Sequence, residues 1–279
     1  MKVREVKKIV KGHPTIDGAG VKLIRVLGRE DSHDIDPFLM LDAFGSENPD
    51  DYIKGFPMHP HRGIETVTYL LEGRVDHTDS LGNSDTLRDG DLQWMTAGSG
   101  ILHEEMPRAT KKLDGLQFWL NLPKDNKMAK PNYFPISPDM VKEISISNGK
   151  IKLISGEYLG EKGVEPKYVK ATMMDVVLNK DATHDMEIPI EQNALIYVLQ
   201  GAAYIGEKRT YVEKHSAVIF SDGDIVNIQA SELGARYILL AGKPLNEPIA
   251  WGGPIVMNTQ EELSAAFAEL RQGSFIKNN

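Results

Sequence analysis

Cysteine is absent from this chain of 279 residues. That excludes disulfide staples, thiolate ligands and a thiol nucleophile, so any metal must be held by histidine and carboxylate. There is no apolar run near the roughly 20 residues that cross a bilayer. The opening Met-Lys-Val-Arg-Glu-Val-Lys-Lys also lacks the apolar stretch of a secretory signal. A soluble, cytoplasmic protein without membrane contact is expected. A basic surplus is lacking too: the formal net charge is -8. Neutralising phosphates needs a basic face, so direct nucleic-acid binding is not expected and any role at DNA would run through a protein partner.

The early basic residues Lys2, Arg4, Lys7, Lys8 and Lys11 alternate with Val3, Val6, Ile9 and Val10 and are interrupted by Glu5. They read as a charged, half-buried edge strand rather than a basic arm, because edge lysines guard against unwanted strand pairing.

What the chain does hold is a series of short apolar stretches, such as Thr66–Leu71, Leu92–Met95 and Leu116–Leu122, divided by Gly, Asp, Asn and Pro. Strands at this spacing predict a β-sandwich or barrel. One clear helix is expected near the C-terminus, on the outside of a sheet. Thr259 and Glu262 form a capping-box pattern, Leu263, Ala266, Phe267 and Leu270 follow at helical spacing, and Gly273 stops it.

An internal repeat organises the rest. Tyr69-Leu-Leu-Glu-Gly73 is echoed by Tyr197-Val-Leu-Gln-Gly201, and Asp89–Gly98 loosely by Lys214–Gly223, the two copies differing in length by three residues. One hairpin loop absorbs such an insertion. Two tandem β-domains are therefore expected, 1–134 and 135–279, with the junction in the turn-rich stretch Pro123–Pro138.

Two segments concentrate the chemistry: Gly55-Phe-Pro-Met-His59-Pro60-His61-Arg-Gly63 and Gly98-Ser-Gly-Ile-Leu-His103-Glu104-Glu105-Met-Pro107. Each offers two metal-competent side chains at i and i+2, one face of an extended strand, so four ligands can meet at one ion. Pro60 places the first pair at the mouth of a sheet or barrel, since proline is rare inside a central strand. Three imidazoles and a carboxylate suit Fe(II), with Mn, Ni, Cu or Zn compatible. Gly98-Ser99-Gly100 reads as a tight turn delivering His103, not a phosphate cradle, and Ser99 has no case as a nucleophile. Phe56, Trp94, Phe118 and Trp119 are candidates for the wall of an apolar pocket, with core packing the default for each.

The stretches His59-Pro-His61-Arg-Gly-Ile-Glu-Thr-Val, Leu92-Gln-Trp-Met-Thr-Ala-Gly and Gly100-Ile-Leu-His103-Glu-Glu105-Met-Pro resemble the hallmark segments of the pirins, members of the cupin superfamily. The resemblance implies an all-β bicupin of two barrels. It also implies one iron-type centre in the N-terminal barrel, with His59, His61, His103 and Glu105 as ligands. Two activities come with it: dioxygenase cleavage of the flavonol quercetin, and co-regulation of transcription in eukaryotic members. Many cupins take their acidic ligand from the first motif, here Glu65, whereas pirins take it from the second. Glu105 is therefore assigned to the metal; as the closest carboxylate, if it loosens from the ion, it is also the expected catalytic base, ahead of Glu104 and Glu65. Glu65 is left as a candidate to orient an imidazole N–H, with an ordinary salt bridge as its other reading. Glu104 is expected to point away by strand alternation.

In the second repeat the counterparts of His59, His61 and Glu65 are Glu187, Pro189 and Asn193. The C-terminal barrel is expected to be without metal. The isolated His33, His77, His184 and His215 read as hydrogen-bonded or surface residues. The function expected is opening of a flavonol ring with O2 and loss of CO. A redox-sensing iron protein that acts through a protein partner and a non-redox cupin isomerase are the rivals.

Overall fold

Along Ile101–Pro107 the odd-numbered residues are buried and the even-numbered ones only partly so. This is the two-residue period of a strand with one face inward. The computed structural model describes residues 1–277 and divides into two compact units. One comprises 13–29, 38–138 and the segment from Leu245 on; the other comprises 1–12, 30–37 and 139–244. Both units are discontinuous in sequence, which a division at 134/135 does not express.

The first unit contains β1 (His13–Asp17), β2 (Val21–Leu27), β3 (Phe38–Ser46), β4 (Phe56–His61), β5 (Ile64–Glu72) and β6 (Val75–Asp79). It continues with β7 (Ser84–Leu87), β8 (Leu92–Thr96), β9 (Ile101–Pro107), β10 (Leu113–Asn121) and β11 (Asn132–Ile136). Seven of these form an antiparallel sheet in the order β11-β8-β5-β10-β3-β2-β1, and four form a second in the order β4-β9-β6-β7. β4 is an edge strand, which is where Pro60 is tolerated. The turn-rich stretch Pro123–Pro138 hides β11, whose Pro135 lies opposite Gln93 on the sheet edge.

The turn from β4 to β5 is pinned from several sides. Gly63 has φ +76, and a Cβ there would stand 1.9 Å from the Val256 carbonyl oxygen. Beside it the buried Arg62 donates through Nε to Ser99 O (2.7 Å) and through Nη2 to Phe275 O (2.8 Å), and pairs through Nη1 with Glu269 (2.7 Å). Its guanidinium also lies over the Phe275 ring. Lys127 Nζ, likewise buried, donates to the carbonyls of Gly63 and Val256.

The C-terminal segment forms a hairpin, Ala250–Gly252 with Ile255–Met257, followed by α1 (Gln260–Gln272). The expected cap is present: Thr259 accepts from the Glu262 amide, the Glu262 side chain accepts from the Thr259 amide, and Gly273 closes the helix in the left-handed region. Leu263 and Ala266 pack on Ile255, Met257 and Phe275, with Phe267 and Leu270 at the margin. No helix among the described residues is long and apolar enough to cross a membrane.

In the second unit a nine-stranded sheet carries the strand Val6–Lys11 on its edge, paired with Ser216–Phe220, as the lysine pattern predicts. Its interior is filled with aliphatic side chains, among them Leu153, Met174, Ile196, Val218 and Leu239. The repeat is visible at matching places: Tyr69 and Tyr197 are buried on β5 and on the strand Asn193–Ile205, and Gly73 and Gly201 both have positive φ.

Gly63→Ala is expected to lower stability by about 3 kcal/mol or more, because strain at positive φ adds to a backbone collision. Gly82→Ala (φ +87), with nothing within 4 Å of its Cβ, shows the strain alone, about 1–2 kcal/mol. Urea unfolding of the two variants checks this; equal losses would rule out the close approach at Gly63.

Candidate metal centre

Antiparallel pairing of β4 with β9 sets His59 directly opposite His103. Their ring centroids are 4.3 Å apart, and His61, two residues along, stands 5.1 Å from His103 and 4.9 Å from His59. One ring nitrogen from each imidazole lies within 4.8 Å of the others. His59 Nδ1 faces Pro57 O at 3.0 Å and His61 Nδ1 faces Pro254 O at 3.1 Å. A carbonyl can only accept, so each Nδ1 carries the proton and each Nε2 keeps a lone pair for the cluster.

His103 is fully buried, and neither of its ring nitrogens has a hydrogen-bond partner. Leaving both nitrogens of a buried imidazole unpaired is costly unless something binds there. Burial, reinforced by the neighbouring His59, pushes His61 down to about 3, against a small upward pull from the Pro254 carbonyl. His103 is likewise held well below its ordinary value by burial and by the nearby His61, His59 and His77. The neutral imidazole is the form that ligates a metal, so the donor set fits a divalent transition ion.

Glu105 follows His103 by two residues and is inward on the same strand. A bulge between them places it opposite Phe56. Its Oε1 accepts from Thr68 Oγ1 (3.1 Å) and from Gln93 Nε2. The structure thus brings three of the four expected residues together, and Glu105 stands at the same cavity wall without joining the imidazole cluster. Glu104, on the other face, accepts from Thr78 Oγ1 at 2.6 Å.

The expectation for Glu65 needs correction. The turn through Arg62 and Gly63 breaks the strand after His61, so counting residues across it does not preserve the face. On β5, Glu65 lies on the face opposite Thr68, and it accepts from Thr96 Oγ1 (2.8 Å).

The cavity beside the imidazoles holds about 820 Å³, and His59, His61 and Glu105 reach it. Of the four candidate aromatics, Phe56 and Trp119 line it, while Trp94 and Phe118 are buried outside its lining. Sequence reasoning missed Trp251 and Pro254, which come to the wall from the C-terminal hairpin; the Trp251 ring stands 5.8 Å from that of Trp119. It also missed the setting of His77. This residue is buried, faces Asp79 Oδ2 through Nε2 (3.2 Å), stacks on Tyr133 and stands 5.4 Å from the His103 ring. The signal that finds it is register: β6 runs beside β9 with His77 opposite Glu105. In the other unit, His184 Nε2 meets the Tyr158 hydroxyl at 2.9 Å.

A tandem pair of antiparallel β-units, one carrying inward imidazoles on two paired strands beside a cavity, defines a cupin-class protein. Residues 20–120 match the Pirin family model, and 173–276 match the model of the pirin C-terminal cupin domain. The chain is 42% identical over 279 residues to the pirin-like protein of Caulobacter vibrioides, covering 99% of this chain and 100% of that one. It is 39% identical over 259 residues to human pirin, covering 91% and 88%. A crystal structure of quercetin 2,3-dioxygenase from Acinetobacter baumannii matches with a TM-score of 0.91 and 32% identity over 98% of each chain. The chain belongs to the pirin family.

The metal-free protein is expected to lose stability as pH falls from about 6.5 toward about 3. In that window the unfolded chain takes up a proton that the buried His61 refuses, so the contribution is complete above the window and lost through it. Urea midpoints of stripped protein at several pH values check this. His61→Gln should flatten the dependence, and an unchanged profile would contradict a neutral, buried His61.

Proposed function

We propose that this protein is a metal-dependent dioxygenase that opens the ring of quercetin or a related flavonol with O2 and releases CO. The observation that carries the reading is His103, with two buried and unpartnered nitrogens among converging imidazoles, at the edge of a cavity walled by Phe56, Trp119 and Trp251. The match to a quercetin 2,3-dioxygenase over nearly the whole chain supports it. His59, His61 and His103 would hold one divalent ion, Fe(II) in the first instance, with Glu105 as the fourth ligand. The metal ligands are assigned to the N-terminal domain, 1–134 in sequence, and none to 135–279, from which Trp251 and Pro254 complete the cavity wall.

Such an ion supplies Lewis acidity toward an enol oxygen and a redox partner for O2. The chain supplies the rest. The Pro57 and Pro254 carbonyls fix two imidazole tautomers. Glu105, held at the cavity wall by Thr68 and Gln93, would take the proton of the substrate's 3-hydroxyl. The aromatic walls seat a planar body and keep water from it. In the overall reaction both atoms of O2 enter the opened product and one ring carbon leaves as CO.

His59→Ala and His103→Ala are expected to abolish bound metal, read by elemental analysis, while unfolding remains cooperative. Full occupancy in both variants would refute the ligand set. Glu105→Gln should lower turnover by about 10²–10⁴-fold, the range for loss of a general base. The assay is O2 uptake and CO release with quercetin, and iron-loaded protein that shows neither would refute the activity.

A further inference from the structure

One row of side chains crosses the interior of the seven-stranded sheet. Register places Arg25 opposite Asp42, Asp42 opposite Gln117, Gln117 opposite Thr68, and Thr68 opposite Gln93. All five are polar, and they are bonded in two groups, Arg25 with Asp42 and Gln117 with Thr68 and Gln93. Arg25 donates to both oxygens of Asp42 (3.0 and 2.8 Å), the single Thr68 hydroxyl proton is shared between Gln117 Oε1 (2.8 Å) and Glu105 Oε1 (3.1 Å), and Gln93 Nε2 donates to Thr68 Oγ1 (3.0 Å). Asp42, Thr68 and Gln93 are buried, and burial pushes the Asp42 carboxyl up against the opposing pull of Arg25.

The other unit provides an internal control. The repeat that aligns Tyr69 with Tyr197 aligns Thr68 with Ile196, and the matching row there reads Leu153, Met174, Leu239, Ile196 and Val218. All five are apolar and buried in one core. The same sheet therefore closes with no polar atom in this row. Asp42 is buried and Arg25 only partly so, its Nη2 also pairing with Asp17 (2.9 Å); an ion pair drawn out of water is often no more stable than an apolar pair of similar volume, so closing the sheet gives no reason for Arg25 and Asp42 to be there.

The polar row faces the cavity: Arg25, Asp42, Gln117 and Thr68 line it together with His59 and Glu105. Gln117, its carbonyl taken by Thr68, has its amide N–H groups left to donate, and Arg25 Nη1 makes no hydrogen bond among the described residues. From Thr68 to Arg25 the row spans three strand spacings, about 14 Å, comparable to the long dimension of a three-ring aromatic molecule.

We propose that Arg25, Asp42 and Gln117 are specificity-determining residues that bind oxygen substituents on the end of an aromatic substrate remote from the imidazoles. The favoured substrate is thus a flavonol bearing phenolic hydroxyls on its pendant ring, because the row offers guanidinium and amide donors and a carboxylate acceptor to such groups. The inference rests on the flavonol reading above.

The test is anaerobic calorimetry on the full-length, metal-loaded protein with two flavonols, one with two pendant-ring hydroxyls and one with none. Wild-type protein is expected to bind the dihydroxy compound about tenfold more tightly, the scale of one or two well-made hydrogen bonds. Replacing the row with its apolar counterparts, Arg25→Leu with Asp42→Met and Gln117→Leu, should bring both affinities to the weaker value. If the triple variant does not unfold cooperatively, the single variant Gln117→Leu reads the same ratio. A preference retained in the variants, or equal affinities in wild-type protein that still consumes O2 with quercetin, overturns the role of the row alone. Wild-type protein that binds neither flavonol overturns it together with the proposed activity.

Discussion

The centre depends on one cross-strand pair, His59 of β4 against His103 of β9. Strand geometry then does the rest: alternation brings His61 round to the same ion-sized space and turns Glu105 inward from the partner strand. A slip of one residue in this pairing would send every one of these groups to the other face. The register is held from outside the pair. Arg62 and Gly63, immediately after His61, are locked by carbonyls, by Glu269 and by Phe275, so the C-terminal segment acts as a clamp on the turn that ends β4, and Arg62 ties that turn to Ser99, just before β9.

That clamp also answers an energetic difficulty. A barrel that keeps a cavity of about 820 Å³ gives up apolar contact that a filled interior would make. It also buries imidazoles, a carboxylate and an ion pair, each of which opposes folding unless partnered. The packing of Ile255, Met257, Leu263 and Phe275 adds a further apolar cluster to the same unit, outside the cavity. The twin unit has no such need, since its aliphatic residues meet across the interior.

Features carried by local sequence were legible. The i, i+2 pairs, the capping box at Thr259, the edge strand of alternating lysines and the Tyr-to-Gly repeat all rest on neighbours along one chain segment. What escaped depends on how segments meet. Glu65 was followed through a turn that resets strand parity. Trp251 and Pro254 reach the cavity from residues nearly two hundred positions beyond the histidines, and no periodicity announces that. His77 looks like an isolated histidine until β6 is laid beside β9. The polar row is the extreme case: its five members come from five strands, and each alone is an ordinary polar residue in an alternating pattern.

The comparison between the two units therefore carries more than the comparison with either one's sequence pattern. Homologous positions in a shared sheet feel the same backbone, the same twist and the same neighbours in register. When one row is Leu153, Met174, Leu239, Ile196 and Val218 and the other is Arg25, Asp42, Gln117, Thr68 and Gln93, the backbone cannot be the cause of the difference. The apolar row shows what the sheet needs in order to close. The polar row ends on Glu105, the inward carboxylate two residues after His103, through Thr68 and Gln93. One line of hydrogen-bonding groups thus connects the proposed reacting end of the cavity to its far wall. The residues that orient the carboxylate and the residues that face the remote end of a ligand share one register across the sheet, and Gln117, bonded to Thr68, is where the two meet.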